Sequence, residues 1–272
     1  MRVKWDEKQD DGECRQADRA ADITSWSRVE ASLPYPLSNI LIDALPDENR
    51  RRLLAQGTRV PVPIRTSLYE RGDTPRYVHF LTSGIASVVT SMSDGETIEV
   101  GTLGREGAPQ GIHLLGTAPL PTRCFMQVSG TAIRFDLGVL EGLFASDEEL
   151  RRVTLAYAQY HTLMLGQLAG CNRLHGVKAR LARWLLMIQD RTGDSVTRLT
   201  QEFLGQMIGS QRTTVSEVVG SLEERGAIEN ARGKIRIVDR TCLEKMSCEC
   251  YLVTRQLLKC IYGLAKQSIF IE

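Results

Sequence analysis

The sequence predicts an α+β chain with three working parts: a β-roll of jelly-roll type, a long helix, and a C-terminal winged helix-turn-helix. Three observations carry this. Short apolar segments, parted by turn residues, recur at regular spacing from Arg59 to Phe144. One stripe at helical spacing follows from Leu150 to Gln167. Then Leu199 to Gly226, LTQEFLGQMIGSQRTTVSEVVGSLEERG, reads as two helices parted by a glycine. The units expected are a flexible tail (1–34), the β-roll (35–146), the long helix with a hinge (147–172), the winged helix-turn-helix (173–245) and a helical extension (246–272).

With 42% apolar and 25% charged residues and a net charge of +1, the 272-residue chain has the composition of a soluble globular protein. The overall charge is therefore silent about nucleic acid, but its distribution is not. Residues 172–240 hold twelve Lys/Arg against eight Asp/Glu, whereas the first 34 residues hold six against eight. That sign suits a DNA-facing C-terminal half. No apolar run reaches the ~18 residues of a membrane span, and no signal-peptide pattern opens the chain. A cytoplasmic protein is expected, with no membrane partner.

Met1 to Pro34 is polar and lacks apolar periodicity. Asn39–Leu45 and Asn49–Leu54 suggest two short helices parted at Pro46. Arg59 to Ile64 is extended, because each of its prolines pushes the preceding residue out of the α region. Strands are expected at Tyr77–Leu81, Ile85–Ser91 and Thr97–Leu103, with Asp94-Gly95 as a hairpin turn. A last pair, Arg123–Ser129 and Thr131–Phe135, folds around Gly130.

Acidic residues at Asp147 to Glu149 suit the positive end of a helix dipole. On that helix Leu150, Val153, Tyr157, Tyr160 and Met164 share a stripe, with Leu163 and Gln167 close by, and are expected to form a subunit interface. The competing reading is a helix packed only on its own β-roll. Cys171-Asn172-Arg173 is expected to be the hinge. Val177 to Leu186 follows as an amphipathic helix, with Leu181, Trp184 and Leu185 inward and Lys178, Arg180 and Arg183 toward solvent or phosphate.

In the helix pair, Thr200 is the expected N-cap, and Phe203, Leu204, Met207 and Ile208 form the first apolar stripe. Counting from Gln201, a small residue is needed at position five, where the helices come closest, and Gly205 is there. A glycine is needed at the turn, and Gly209 is there. Val215, Val218, Val219 and Leu222 face inward on the second helix, leaving Gln211, Arg212, Thr213, Ser216 and Glu217 to reach DNA. Ile228 to Val238 reads as strand, turn at Arg232-Gly233, and strand, a wing that offers Arg232 and Lys234 to phosphates.

Thr200-Gln201-Glu202, Gly205-Gln206, Gly209, Arg212 and Thr214-Val215 resemble the C-terminal domain of the cyclic-AMP receptor protein and fumarate-nitrate regulator superfamily. Tyr69-Glu70-Arg71-Gly72-Asp73, Leu81-Thr82-Ser83-Gly84 and Gly95-Glu96 are similar to the effector domain of the same superfamily. The resemblance covers roughly residues 36 to 245 and implies a homodimeric transcription regulator on a near-palindromic double-stranded DNA operator. RNA polymerase and an unidentified small-molecule effector are further candidate partners. Superfamily members that bind cyclic nucleotides carry a Gly-Glu turn for the ribose and an Arg-Ser/Thr-Ala unit for the phosphate. Here the second unit is Arg123-Cys124-Phe125, and a thiol is a far weaker donor than a hydroxyl. The turn, Gly104 to Gly111, lacks the Gly-Glu unit, holds Glu106 early, and has Pro109 where a backbone donor is wanted. A remodelled pocket drawing on Glu106, Gln110, Arg123 and Cys124, with an effector other than cyclic AMP, is the expectation.

Seven cysteines and four histidines remain. Cys14 stands alone in the tail, so the N-terminal cluster of iron–sulfur members of the superfamily is missing. Cys242, Cys248, Cys250 and Cys260 lie close together in sequence, but Cys-Glu-Cys is tighter than the usual C-x₂₋₄-C of zinc sites. Metal binding and redox sensing stay open, free thiols are favoured, and neither metal nor cofactor is expected. His79, His113, His161 and His175 are scattered. An enzyme is the competing class, but no phosphate-cradling glycine loop, H-E-x-x-H or G-x-S-x-G is present. A ligand- or redox-sensing module with a vestigial DNA domain is the alternative. Tyr251 to Leu264 is expected to be a terminal helix without an evident partner.

Overall fold

The computed structural model describes residues 38–231 and 233–262. The polar tail with Cys14, Arg232, the side chain of Cys260 and Leu264 lie outside the described residues. No described helix is long and apolar enough to cross a membrane.

Two short helices lead in, α1 (Ile40–Asp43) and α2 (Asp47–Leu54). Asn39 caps α1 by accepting from the amides of Leu41 and Ile42. Its own side-chain amide donates to the carbonyls of Leu81 and Gly107 at 2.8 Å each, so a fully buried cap ties the entry of the domain to one strand end and to the turn before Pro109.

The roll consists of two antiparallel sheets. One has the order β1 (Thr58–Val62), β7 (Gly130–Asp136), β3 (Tyr77–Leu81). The other has the order β2 (Ser67–Tyr69), β6 (Arg123–Val128), β4 (Ile85–Ser91), β5 (Thr97–Leu103). The expected strands are found, and β2 is added to them. A 3₁₀ helix at Pro109–Leu115 closes one end. Gly130 cannot carry a side chain, since a Cβ there would lie 2.1 Å from the carbonyl oxygen of Ser83.

Helix α3 (Leu137–Ser146) was not legible as a separate element; Asp136 caps it by accepting from Gly138. Helix α4 (Glu148–Leu174) starts at an Asp147 cap and runs unbroken through Cys171-Asn172-Arg173. The expected hinge is thus still helical. The break falls at His175 and Gly176, and α5 (Val177–Thr192) begins immediately after.

The C-terminal half holds β8 (Val196–Arg198), α6 (Gln201–Ile208), α7 (Arg212–Glu224), β9 (Ile228–Ala231), β10 (Lys234–Ile237), α8 (Arg240–Met246) and α9 (Cys250–Tyr262). The wing is a three-stranded sheet in the order β8-β10-β9. Helix α9 has a partner after all: it lies along α4, with Leu258 in the core of the roll and Tyr251 in that of the helix-turn-helix half.

The two halves meet in an apolar contact. Ile85 and Val89 of β4 belong to the same cluster as Leu181, Trp184 and Leu185 of α5 and Leu204 of α6. Residues 85–89 are therefore buried on both faces of the strand, where a one-sided sheet would alternate. A polar knot sits inside this contact. The fully buried Trp184 indole donates to Glu99 at 2.8 Å, as does Thr102 at 2.8 Å, and Ser87 donates to the other carboxylate oxygen.

Burial pushes the Glu99 carboxyl above its ordinary value of 4.5, against those three hydrogen bonds and the charge of Arg183. Folding then takes up a proton between 4.5 and the raised value, and stability falls as pH rises through that window. As pH rises above 4.5, the melting temperature of the wild type should fall more steeply than that of Glu99→Gln. Parallel curves would show that Glu99 takes up no proton on folding.

Candidate nucleic-acid interface and effector pocket

The helix-turn-helix is built by its caps and its glycines. Thr200 accepts from the Phe203 amide at 3.2 Å and so opens α6. Gly209 ends it in the left-handed region, with φ +59°. A Cβ on Gly205 would stand 2.7 Å from the carbonyl oxygen of Ser210, which is why position five must be small: the turn folds directly over it. A Cβ on Gly209 would stand 2.6 Å from the Ile98 side chain, so the turn also seats on β5. Val215, Val219 and Leu222 lock α7 inward, and all three are buried.

The outer face of α7 presents Arg212, Thr213 and Glu217, all exposed, with Gln211 exposed at the N-cap. Thr200 is exposed one helix away. Ser216 is half-buried and already engaged: its hydroxyl lies 2.7 Å from Gln201 Oε1 and 3.0 Å from the Arg212 carbonyl. Its first role in the structure is to hold α7 against α6. Lys234 is half-buried on β10 beside the wing turn, paired in register with Ala231 and Arg198. Gln211, Arg212, Thr213 and Glu217 therefore cluster, while Arg232 lies outside the described residues.

The expected effector residues do not converge. Cys124 and Arg123 are neighbours on β6 and point to opposite faces, as strand geometry requires. Cys124 is fully buried in the core of the roll, whereas Arg123 is exposed and lies over the Phe125 ring at 4.9 Å. Gln110 is buried, donating to the Leu68 carbonyl at 3.1 Å and lying 2.9 Å from His79 Nδ1. Glu106 forms a buried ion pair with Arg191 of α5 at 2.7 Å. The roll is also filled from α4, where the Tyr157 ring packs so tightly that a Cβ on Gly107 would lie 2.2 Å from it. Burial holds His79 and His161 down to about 4, so both imidazoles are neutral near pH 7. A cavity of about 30 Å³ lies between Arg105, Glu106, Tyr160, Arg191 and Arg255, room for a water or two.

Two further expectations are corrected. Leu150, Val153, Tyr157, Tyr160 and Met164 are buried within the single chain, against the roll and α9, and Gln167 donates to Cys250 Sγ at 3.0 Å. That stripe is therefore an internal seam, and the free face of α4 lies opposite. Arg180 and Arg183 are buried rather than solvent-facing; Arg180 donates to the Ile208 carbonyl at 2.7 Å, at the end of α6. Both corrections follow from packing on elements distant in sequence: the roll and α9 for the stripe, and the end of α6 for Arg180. Cys171 and His175, outside every expected site, come together with Cys248 and Cys250. The one signal for them was the helical spacing of a cysteine and a histidine at i and i+4.

Residues 59–147 match the family model of the cyclic nucleotide-binding domain, and residues 179–246 match the Crp-like helix-turn-helix domain. Together they define a sensor roll joined to a DNA-binding module. The chain belongs to the Crp/Fnr superfamily of transcription regulators. No curated protein matches the sequence. Among solved structures, the c-di-GMP-responsive global regulator CLP of Xanthomonas campestris is 16% identical, with 71% of this chain and 99% of that chain covered and a TM-score of 0.59. FixK2 of Bradyrhizobium japonicum is also 16% identical, with 71% and 98% covered and a TM-score of 0.60. A CRP-family transcriptional regulator of Thermus thermophilus is 20% identical, with 70% and 96% covered and a TM-score of 0.58. At such identities the likeness speaks to the fold.

Gly205→Ala should destabilise the C-terminal half by ~1–3 kcal/mol, because the new methyl meets backbone rather than a yielding side chain. Urea unfolding followed by tryptophan fluorescence measures this. An unchanged midpoint would mean that the turn does not fold over Gly205.

Proposed function

We propose that the chain is a sequence-specific DNA-binding transcription regulator acting as a homodimer on a near-palindromic operator, under an effector other than cyclic AMP. The observation that carries the reading is the exposed set Arg212, Thr213 and Glu217 on the first turns of a helix whose opposite face is locked in a Crp-like helix-turn-helix. An N-terminal arginine on such a helix reaches guanine O6 and N7 with two hydrogen bonds. Thr213 adds a hydroxyl or a contact to a thymine methyl, and Glu217 accepts from a cytosine amino group. Lys234 in the wing meets phosphate. A role on DNA goes with a cytoplasmic location. The use of Glu106 by Arg191 and of the roll interior by Tyr157 argues against a cyclic-AMP site of the usual kind.

Two-fold recognition needs two copies, with recognition helices ~34 Å apart on one face of the duplex. The free face of α4 is the surface offered for the second copy. Leu155 and Leu163 are 50% and 45% exposed there, and Gln159, Thr162 and Gly166 lie between and beside them. Thr162 donates to the Ala158 carbonyl, which leaves it no polar demand on a partner, and Gly166 has open space above it.

Selection of preferred sites from random DNA tests the readout. Arg212→Ala should cost ~1–3 kcal/mol and relax specificity mainly at one base, whereas Lys234→Ala should weaken all sequences alike and reduce the salt slope by about 1. An unchanged base preference in the Arg212 variant would remove that residue from the readout. For assembly, Leu155→Glu combined with Leu163→Glu should give monomers in analytical ultracentrifugation and weaken operator binding, while Lys234→Ala stays dimeric. Dimers that persist in the double variant would place the interface elsewhere.

A further inference from the structure

The geometry points to a four-ligand zinc site formed by Cys171, His175, Cys248 and Cys250, pinning the end of α4 to the start of α9. The four ligand atoms lie within 4.8 Å of one another. Cys171 Sγ and Cys248 Sγ are 3.5 Å apart, and Cys250 Sγ is 3.5 Å from His175 Nδ1. Ligands at ~2.0–2.3 Å around one tetrahedral zinc ion stand roughly 3.3–3.8 Å from each other, so the two close pairs already have that spacing and the widest separation needs to close by about 1 Å. A multi-iron cluster needs its thiolates farther apart, with inorganic sulfide between them.

Two elements supply the ligands in pairs. Cys171 and His175 sit one turn apart at the C-terminal end of α4. Cys248 and Cys250 flank the N-terminus of α9, where the helix dipole favours thiolate at its first residue, Cys250. The tightness of Cys-Glu-Cys, a poor chelate by itself, is no obstacle once the other two ligands come from another helix. The three cysteines are buried, at 1%, 4% and 0% exposure.

The surroundings are those of a metal site. His175 turns Nδ1 toward Cys250, and its Nε2 lies 3.1 Å from Glu249 Oε1. That carboxylate fixes the tautomer that leaves Nδ1 a lone pair, the carboxylate–histidine–metal arrangement. Gln167 donates to Cys250 Sγ at 3.0 Å. Arg183 and Arg180, buried on α5, act electrostatically on Cys171, and Arg180 also on Cys248. Three thiolates and one Zn²⁺ leave a net charge of −1, which these guanidinium groups offset. A disulfide between Cys171 and Cys248 would use two of the four groups and leave Cys250 and His175 converging on nothing. With all four positions filled by protein the site is structural. It would hold α9 on α4 at the His175–Gly176 break that leads into the DNA-binding half.

Elemental analysis of the full chain, purified without a metal-affinity step, should find about one zinc ion per chain. After chelation under reducing conditions, Co²⁺ should give the visible bands of a tetrahedral ion and sulfur-to-cobalt charge transfer. Cys171→Ser and Cys250→Ser should lose both signals, and Cys124→Ser, remote from the site, should keep them. Glu249→Gln, at an exposed position, should bind zinc roughly 10- to 100-fold more weakly while remaining folded. The wild-type cobalt spectrum decides the matter even if a cysteine variant misfolds. A chain with no zinc and no tetrahedral cobalt spectrum, one carrying iron and sulfide instead, or one isolated with a Cys171–Cys248 disulfide would each overturn the assignment.

Discussion

Helix α5 carries more charge than a buried helix normally tolerates, and three of those charges, on Arg180, Asp190 and Arg191, meet partners on other elements, as does the neutral indole of Trp184. Arg180 reaches the Ile208 carbonyl at the end of α6. Trp184 donates to Glu99 on β5. Arg191 pairs with Glu106 in the roll. Asp190 accepts from Arg240 of α8 and from the Tyr251 hydroxyl of α9, each at 2.8 Å. One helix is thus bonded to the helix-turn-helix, the roll and the C-terminal extension at once. Breaking a buried ion pair by removing one partner costs about 3–5 kcal/mol, so such contacts fix arrangement even where they add little net stability.

The consequence for function is a short path between the halves. The turn of the helix-turn-helix seats on Ile98, the neighbour of Glu99 on the same strand. The 3₁₀ segment that would face an effector lies next to Glu106, whose partner Arg191 is on α5. These contacts join the roll directly to α5 and to the turn between α6 and α7. The site that reads DNA and the domain that would sense a signal are therefore mechanically adjacent.

Local chemistry was legible in the sequence, and long-range cover was not. Turn residues and alternation placed β3, β4 and β5 at their observed limits, and Thr200, Gly205 and Gly209 announced the helix pair through steric needs that act within a dozen residues. The stripe from Leu150 to Met164 was equally visible as apolar. Whether it met a second subunit or this chain's own roll and α9 was set by packing between elements far apart in sequence. Arg180 and Arg183 look solvent-facing on a helical wheel, since nothing local reveals the elements that bury them. The cysteine cluster failed to register for the same reason: half of its ligands, Cys171 and His175, belong to another helix. Arg123 and Cys124 were grouped by adjacency in sequence, which on a strand guarantees opposite faces.

The central claim is that α7 reads DNA sequence as one half of a two-fold pair. A genome-wide map of the DNA bound by the full-length chain in its own cells tests it most directly. The account expects enriched fragments sharing two inverted half-sites whose centres lie about one helical turn, ~10 base pairs, apart, each with a guanine at a fixed position. Bound DNA without any shared motif, or a motif with a single half-site, would contradict it.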